Sequence, residues 1–361
     1  MFRFSTNAID TRLEGGVATR RKSEIFMIGV ARHRAGLWIL AAAAVVCVLV
    51  LLFGVAVGAV ALPLRIVIDA LLHPHAVGDA NRILWDLRLS RVLLAALVGA
   101  ALAISGTLLQ GMLRNPLVDP YLTGTSAGAA CAIAIGIALG VAYPALPVLA
   151  FAAALGTAVL VATLARTGTG ISHERLILAG ISLSALFAGI VTMVILLSPT
   201  ASMSLSILAW LGGSLAGRGW IDLQTAALYA LPGAVIAFAL APTVNALRLG
   251  EDRARSLGVD VDRAQWAIVG AAALLTAAAV SVSGIIGFVG LIVPHVVRRM
   301  VGSDARFTLI GSALVGAIVV VLGDILARSA VPPVELPLGV LLSLLGVPSF
   351  IYIAFRRKRI A

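Results

Sequence analysis

The sequence predicts an all-α, polytopic membrane protein with about ten transmembrane helices. Three observations carry that prediction. Of 361 residues, 61% are hydrophobic and only 12% charged, about half the charge of an ordinary soluble domain. Apolar runs close to the ~20 residues that cross the ~30 Å hydrocarbon layer recur along the whole chain. Basic residues gather in the gaps between those runs rather than on a face of their own.

The runs fall near residues 37–61, 92–112, 125–142, 145–165, 176–197, 225–242, 264–282, 285–301, 308–327 and 338–355. This divides the chain into an N-terminal tail over 1–36, a transmembrane domain over 37–355 and a basic C-terminal tail over 356–361. The first run is too long for the apolar core of a cleaved signal peptide and reads as an uncleaved span. Residues 1–26 are polar and without pattern; they read as a disordered tail or as an extended start ahead of Met27. Tyr143-Pro144 divides the third and fourth runs, and a glycine-rich stretch at Ser283-Gly284 divides the seventh and eighth. The stretch 205–217 is too short to span and reads as a re-entrant or surface helix.

Charge sets orientation. With both ends of the chain cytoplasmic, only Arg65, Arg82, Arg88, Arg91, Arg218 and Arg328 of the 27 basic residues lie outside, as the positive-inside rule requires. The expected location is therefore a bacterial inner membrane. The formal net charge of +11 belongs to that topology and not to a nucleic-acid surface. The spans hold almost no ionisable residues. Asp324 is the main exception, with Arg328 one helical turn away as its expected partner. Proton-coupled carriers place acids or histidines at membrane depth, so the driving energy is expected from elsewhere.

No catalytic motif is present. A phosphate-binding loop needs G-x-x-x-x-G-K-[ST], and the only lysines are Lys22 and Lys358. The chain is therefore not expected to be an enzyme or to bind a cofactor or metal of its own. Cys47 and Cys131 lie in apolar runs without ligand spacing and read as small core residues. Gly284, Gly287 and Gly290, and Gly180, Ser184 and Gly189, are small-residue sets. They read either as close helix packing or as a mobile helix lining a pathway.

Three inner segments are too distinctive for plain connectors. QGMLRNPLVDP over 110–120 carries two prolines that stiffen it. NALRLGEDRARSLGVDVD over 245–262 contains the i,i+4 pair Glu251–Arg255 and a small apolar face of Leu247, Ala254 and Leu257. That face suits either a partner protein or the membrane surface. GFVGLIVPHVVRRMVGSDAR over 287–306 has a span broken by Pro294. Its neighbour His295 reads as a hydrogen-bonding side chain more readily than as a metal ligand.

These segments resemble the FecCD family of ATP-binding-cassette transporter permeases. The matching blocks are RLSRVLLAALVGAALAISGTLLQGMLRNPLVDPYLTGTSAGA in the 88–130 region, LILAGISLSAL at 176–186, LAWLGGSL at 208–215, LGEDRARSLGV at 249–259, SGIIGFVGLIVPHVVRRMVGSDAR at 283–306 and ELPLGVLLSLLGVPSFI at 335–351. Six blocks in order cover nearly the whole chain.

The resemblance implies the type II importer permease fold and a homodimer with the pathway on its two-fold axis. It also implies two cytoplasmic ATPase subunits, which hold ATP and magnesium, and a periplasmic substrate-binding protein. By the same resemblance, Arg88, Arg91 and Arg328 receive acidic residues of the binding protein. Gly250, Glu251, Ala254, Leu257 and Gly258 belong to the segment that couples to the ATPase. Asn115 and Leu117 form a cytoplasmic gate, opposed at His173 and Glu174, where vitamin B12 importers of the family carry small hydroxyl residues. Span five lines the pathway with Ser182, Ser184, Thr192 and Met193. The cargo class is a metal chelate, namely haem, a ferric siderophore or cobalamin, and the apolar lining favours haem. The competing reading is an ion-coupled secondary transporter that works without an ATPase; it would need polar coupling sites at the bilayer midplane.

Overall fold

A computed structural model describes residues 35–57, 65, 69, 79–168 and 170–355. The tails expected at 1–36 and 356–361 lie outside these residues, apart from Ala35 and Gly36. Among the described residues the chain is almost wholly helical. Its α-helices of six or more residues are α1 (Ala35–Ala56), α2 (Ser90–Met112), α3 (Thr125–Ala138), α4 (Leu146–Leu164), α5 (His173–Leu196), α6 (Ala201–Leu211), α7 (Trp220–Ala239), α8 (Ala241–Arg248), α9 (Glu251–Ser256), α10 (Val261–Ser283), α11 (Val289–Val301), α12 (Ala305–Ser329) and α13 (Leu338–Phe355).

Among the described residues, seven helical stretches are long and apolar enough to cross a bilayer: Ala35–Ala56, Ile83–Met112, Tyr143–Leu164, His173–Leu196, Trp220–Ala239, Val261–Ser283 and Ala305–Ser329. The third and eighth expected spans are shorter than the sequence suggested, whereas the tenth, over 338–355, forms α13 with those bounds. α3 has 14 residues and α11 has 13. Left-handed residues limit both: Gly140 follows α3, and Gly284 and Phe288 separate α10 from α11. The second span starts earlier than expected, because a π-helical segment, Ile83–Leu89, runs directly into α2. The expected short helix near 205–217 is α6.

α2 is the axis of the fold and packs against α12, α10, α7 and α11. Its glycines bring backbones into direct contact. A methyl group at Gly99 would collide with the carbonyl of Gly316 on α12, and one at Gly106 with that of Gly290 on α11. Hydroxyls join the same helices: Ser105 Oγ donates to Ala272 O at 2.9 Å, and Thr107 Oγ1 donates to Ser312 Oγ at 2.9 Å. In lipid there is no hydrophobic gain between two apolar helices, so close packing and such bonds supply the association. Of the glycine sets singled out in the sequence, Gly180, Gly284 and Gly290 meet neighbouring backbone or proline, whereas Gly189 meets nothing within 4 Å. Packing explains the first three.

The break between α10 and α11 leaves irregular backbone inside the bundle, which lipid forbids unless its polar groups are satisfied. Tyr121 does part of this. Its hydroxyl donates to Ile286 O at 3.0 Å and accepts from Ile286 N at 3.1 Å. Pro294 cannot donate to Gly290 O four residues earlier. Gln110 Nε2 supplies donors there instead, at 3.2 Å from Gly290 O and 3.1 Å from Leu291 O. The same amide reaches Val118 O at 3.0 Å and so ties the proline-stiffened inner loop to the break.

Gly99→Ala is expected to force α2 and α12 apart and to cost about 1–3 kcal/mol of stability, the usual range for overpacking. Gly189→Ala is expected to cost nothing comparable. Thermal unfolding midpoints of the purified variants in detergent check this, and equal midpoints would exclude a helix contact at Gly99.

Candidate functional site

The residues singled out in the sequence gather at two ends of the bundle. At the end expected to face outward, Arg91 on α2 makes two forked contacts. Its Nε and Nη2 donate to Asp324 Oδ1 at 3.0 and 2.8 Å, and its Nη1 and Nη2 donate to Glu335 at 3.0 and 2.9 Å. Arg328 stands one turn from Asp324 on α12, with Nε 3.4 Å from Asp324 Oδ2, and its Nη2 donates to Gly54 O at 2.7 Å. Arg88 Nη1 donates to Val55 O at 3.2 Å and Ala56 O at 2.9 Å. The last carbonyls of a helix have no intrahelical donor; here two guanidiniums cap the end of α1.

This corrects the sequence reading in one respect and adds to it in another. Arg88 and Arg328 are buried, not free at a rim. Asp324 pairs with Arg328 as expected but has a second, closer partner in Arg91. Burial explains both: a carboxylate with 1% exposure is tolerable only when cations and donors surround it. Glu335, missed in the sequence although it opens the ELPLG block, completes the network. The bonds from Arg91 hold its carboxyl below the usual carboxylate range. Arg91 and Glu335 keep 12% and 33% of their side chains exposed, so this pair is where the network meets solvent.

At the opposite end, expected to face inward, the loop after α2 projects Asn115 and Leu117 into solvent. Asn115 Oδ1 accepts from Leu117 N at 2.9 Å, which fixes the turn. Asp119 accepts from Tyr121 N at 2.8 Å at the start of a 3-10 turn. Burial pushes its carboxyl up to about 6, against the opposing effect of that bond.

A two-stranded hairpin, Arg166–Thr167 paired with Gly170–Ile171, links α4 to α5, and Ser172 caps α5. His173 and Glu174 form the first turn of α5. His173 Nε2 lies 3.5 Å from Glu251 Oε1 on α9, whereas Glu174 is exposed. Arg114 approaches Gly250, where an added methyl would lie 3.7 Å from its Nη1. The expected gate and the expected coupling segment are thus neighbours.

The coupling face differs from its sequence reading. Glu251 and Arg255 pair across one turn at 3.8 Å, as expected. Leu247 and Ala254, however, are buried at 2% and 0% exposure, and only Leu257 stays exposed, at 65%. The first two apolar side chains pack into the chain's own core, and Leu257 alone of the three faces outward. Gly250 and Gly258 flank this segment with left-handed backbone, at φ +112° and +83°.

α5 packs lightly within the chain, burying only Leu176, Gly180 and Val191. Ser182, Thr192 and Met193 are exposed on it and Ser184 is half-buried. Cys47 and Cys131 are buried free thiols. No group of three or more metal-ligating side chains occurs among the described residues.

Comparison with known proteins agrees with this architecture. Residues 46–356 match the FecCD transport family. The hemin transport system permease protein of Yersinia pestis is 40% identical over 78% of this chain and 86% of its own length. The vitamin B12 import system permease protein of Vibrio cholerae is 37% identical over 76% of this chain and 83% of its own length. A solved inward-facing conformation of a metal-chelate type ABC transporter superposes with a TM-score of 0.80, at 32% identity, over 88% of this chain and 99% of that one. Matched over most of its length and sharing 40% identity with one member's sequence, the chain belongs to the FecCD transport family.

Proposed function

We propose that this chain is the membrane-spanning permease subunit of an ATP-binding-cassette importer, which carries a metal chelate from periplasm to cytoplasm by alternating access. The observation that carries the reading is the inner cluster, where a short helix with one exposed apolar residue, Leu257, touches the first turn of α5. Such a segment suits reception of movement from a separate ATPase. The chain lacks a phosphate-binding loop, so ATP and its magnesium sit on that partner. Two ATPase subunits would serve a homodimer of this chain in the inner membrane, with both termini cytoplasmic.

Leu178, Ile181, Leu186 and Met193 leave α5 with a broad exposed apolar face, which supports a second copy or a pathway along it. Ser182, Ser184, Thr192 and Met193 are its candidate lining. The mostly apolar character of that face favours haem over a ferric siderophore or cobalamin. A permease working alone as an ion-coupled carrier would need free charge at membrane depth, and Asp324 is committed to Arg91 and Arg328.

Binding-protein docking falls to the outer network. Arg88 and Arg328 shape it from below, and Arg91 is the member with access to an incoming acidic side chain. The inner gate comprises Asn115 and Leu117 facing His173 and Glu174. Gly250, Glu251, Ala254, Leu257 and Gly258 form the coupling segment, with Ala254 as its anchor in this chain.

The purified chain alone is expected to hydrolyse no ATP, and its complex with the ATPase subunits to do so; hydrolysis by the contaminant-free chain would overturn the reading. Leu257→Asp is expected to keep the fold but loosen the ATPase by about 1–3 kcal/mol, since a charge would be desolvated at the contact. Copurification at graded ATPase concentrations measures this, and unchanged copurification would remove Leu257 from the interface. Ala254→Asp should instead damage folding, because its site is closed. At the outer face, Arg91→Glu is expected to weaken docking at least tenfold, and wild-type docking should weaken with salt. Binding-protein affinity in nanodiscs at two salt concentrations decides this; equal values throughout would remove the docking assignment.

A further inference from the structure

The cytoplasmic ends of α5 and α9 meet in one polar contact whose role the proposed function leaves open. His173 Nε2 is closed off from solvent and has no hydrogen-bond partner among the described residues. It stands 3.5 Å from Glu251 Oε1, beyond the ~2.7–3.2 Å of a formed N–H···O bond. The same carboxylate oxygen accepts from Gln265 Nε2 on α10 at 3.1 Å. The other end of that amide, Oε1, accepts from Ile171 N at 2.7 Å, in the strand that leads into α5. Glu251 is therefore held from the α10 side and incompletely engaged on the α5 side.

The two helices differ in how firmly they are held. α9 is six residues long, lies between the left-handed positions Gly250 and Gly258, and anchors itself in the chain through Ala254. α5 has 24 residues but buries few of them. A displacement of α9 toward α5 of roughly half an ångström would bring His173 and Glu251 into hydrogen-bond range. The new bond would involve a charged acceptor, which makes it stronger than a neutral one. A long helix with few buried side chains then moves with its first turn.

We propose that His173 is a positioning residue, and that its contact with Glu251 is the link through which displacement of the coupling segment moves the cytoplasmic end of α5. The link rests on the coupling reading given above and goes beyond it by naming the transmitting pair. Arg114, beside Gly250, adds a positive charge that also bears on His173.

The test uses the permease–ATPase complex in nanodiscs with Arg175→Cys, on the exposed first turn of α5, as reporter. Labelling by a water-soluble maleimide is compared between nucleotide-free and MgATP–vanadate states. His173→Ala and Glu251→Ala are each expected to cut the nucleotide-dependent change in labelling at least threefold. The double variant should lose no more than either single one, since both remove the same interaction. His173→Gln, whose amide can still donate to Glu251, should restore more than half of the change. A purely structural contact would lower the melting temperature in all variants without this pattern of rescue.

Full retention of the change in either alanine variant, or additive losses in the double variant, overturns the link. The coupling reading fails separately: Leu257→Asp would then keep its ATPase subunits and its full labelling change. Absence of any nucleotide-dependent change in the reporter protein with His173 and Glu251 intact would overturn both.

Discussion

The structure depends on how closely α2 can approach its neighbours. In a bilayer, leucine against leucine gains little over leucine against lipid, so helices associate through dense packing and interhelical hydrogen bonds. The contacts of Gly99 with Gly316 and of Gly106 with Gly290 let backbones touch where any side chain would hold them apart. They place the hydroxyls of Ser105 and Thr107 within reach of α10 and α12. With α2 fixed in this way, its two ends carry the outer arginine network and the inner proline-stiffened loop.

The second constraint is satisfaction of backbone polarity at membrane depth. The chain interrupts its helices between α10 and α11, and each interruption frees carbonyls and amides that lipid cannot solvate. Tyr121 and Gln110 close that account from neighbouring segments. Because both belong to the polypeptide around the inner loop, the broken span and the loop are mechanically joined. Polar as well as packed contacts therefore connect that loop to the break in the bundle.

Charge is used differently at the two faces. At the Arg91 end, one nearly inaccessible carboxylate, Asp324, is held by Arg91 and Arg328, and Arg328 joins Arg88 in capping the end of α1. The burial penalty of a charge makes such a network all-or-none: removing one partner strands the others. Inside, the contacts are looser and more exposed, with Glu251 shared among His173, Gln265 and Arg255. Tight ion pairing suits a fixed platform, and loose pairing suits parts that shift between states.

The sequence by itself determined the solvent, the helical class, the approximate positions of the spans and, through six ordered blocks, the family. These follow from composition and local pattern: apolar runs of bilayer length admit few structures, and the blocks are contiguous in the chain. It also gave the inner segments their importance. The tertiary structure decided which of the marked residues are free. Arg88, Arg328, Leu247 and Ala254 read as surface groups in sequence, because a motif states what a residue is and not what covers it. Glu335 and Gln265 were passed over because their partners lie more than two hundred and nearly a hundred residues away in the chain, at Arg91 and Ile171. The shortness of α3 and α11 was equally hidden, since left-handed turns at Gly140, Gly284 and Phe288 interrupt stretches whose hydropathy is continuous. Hydropathy reports the medium a segment prefers; the path of the backbone through that medium is set by contacts between segments distant in sequence.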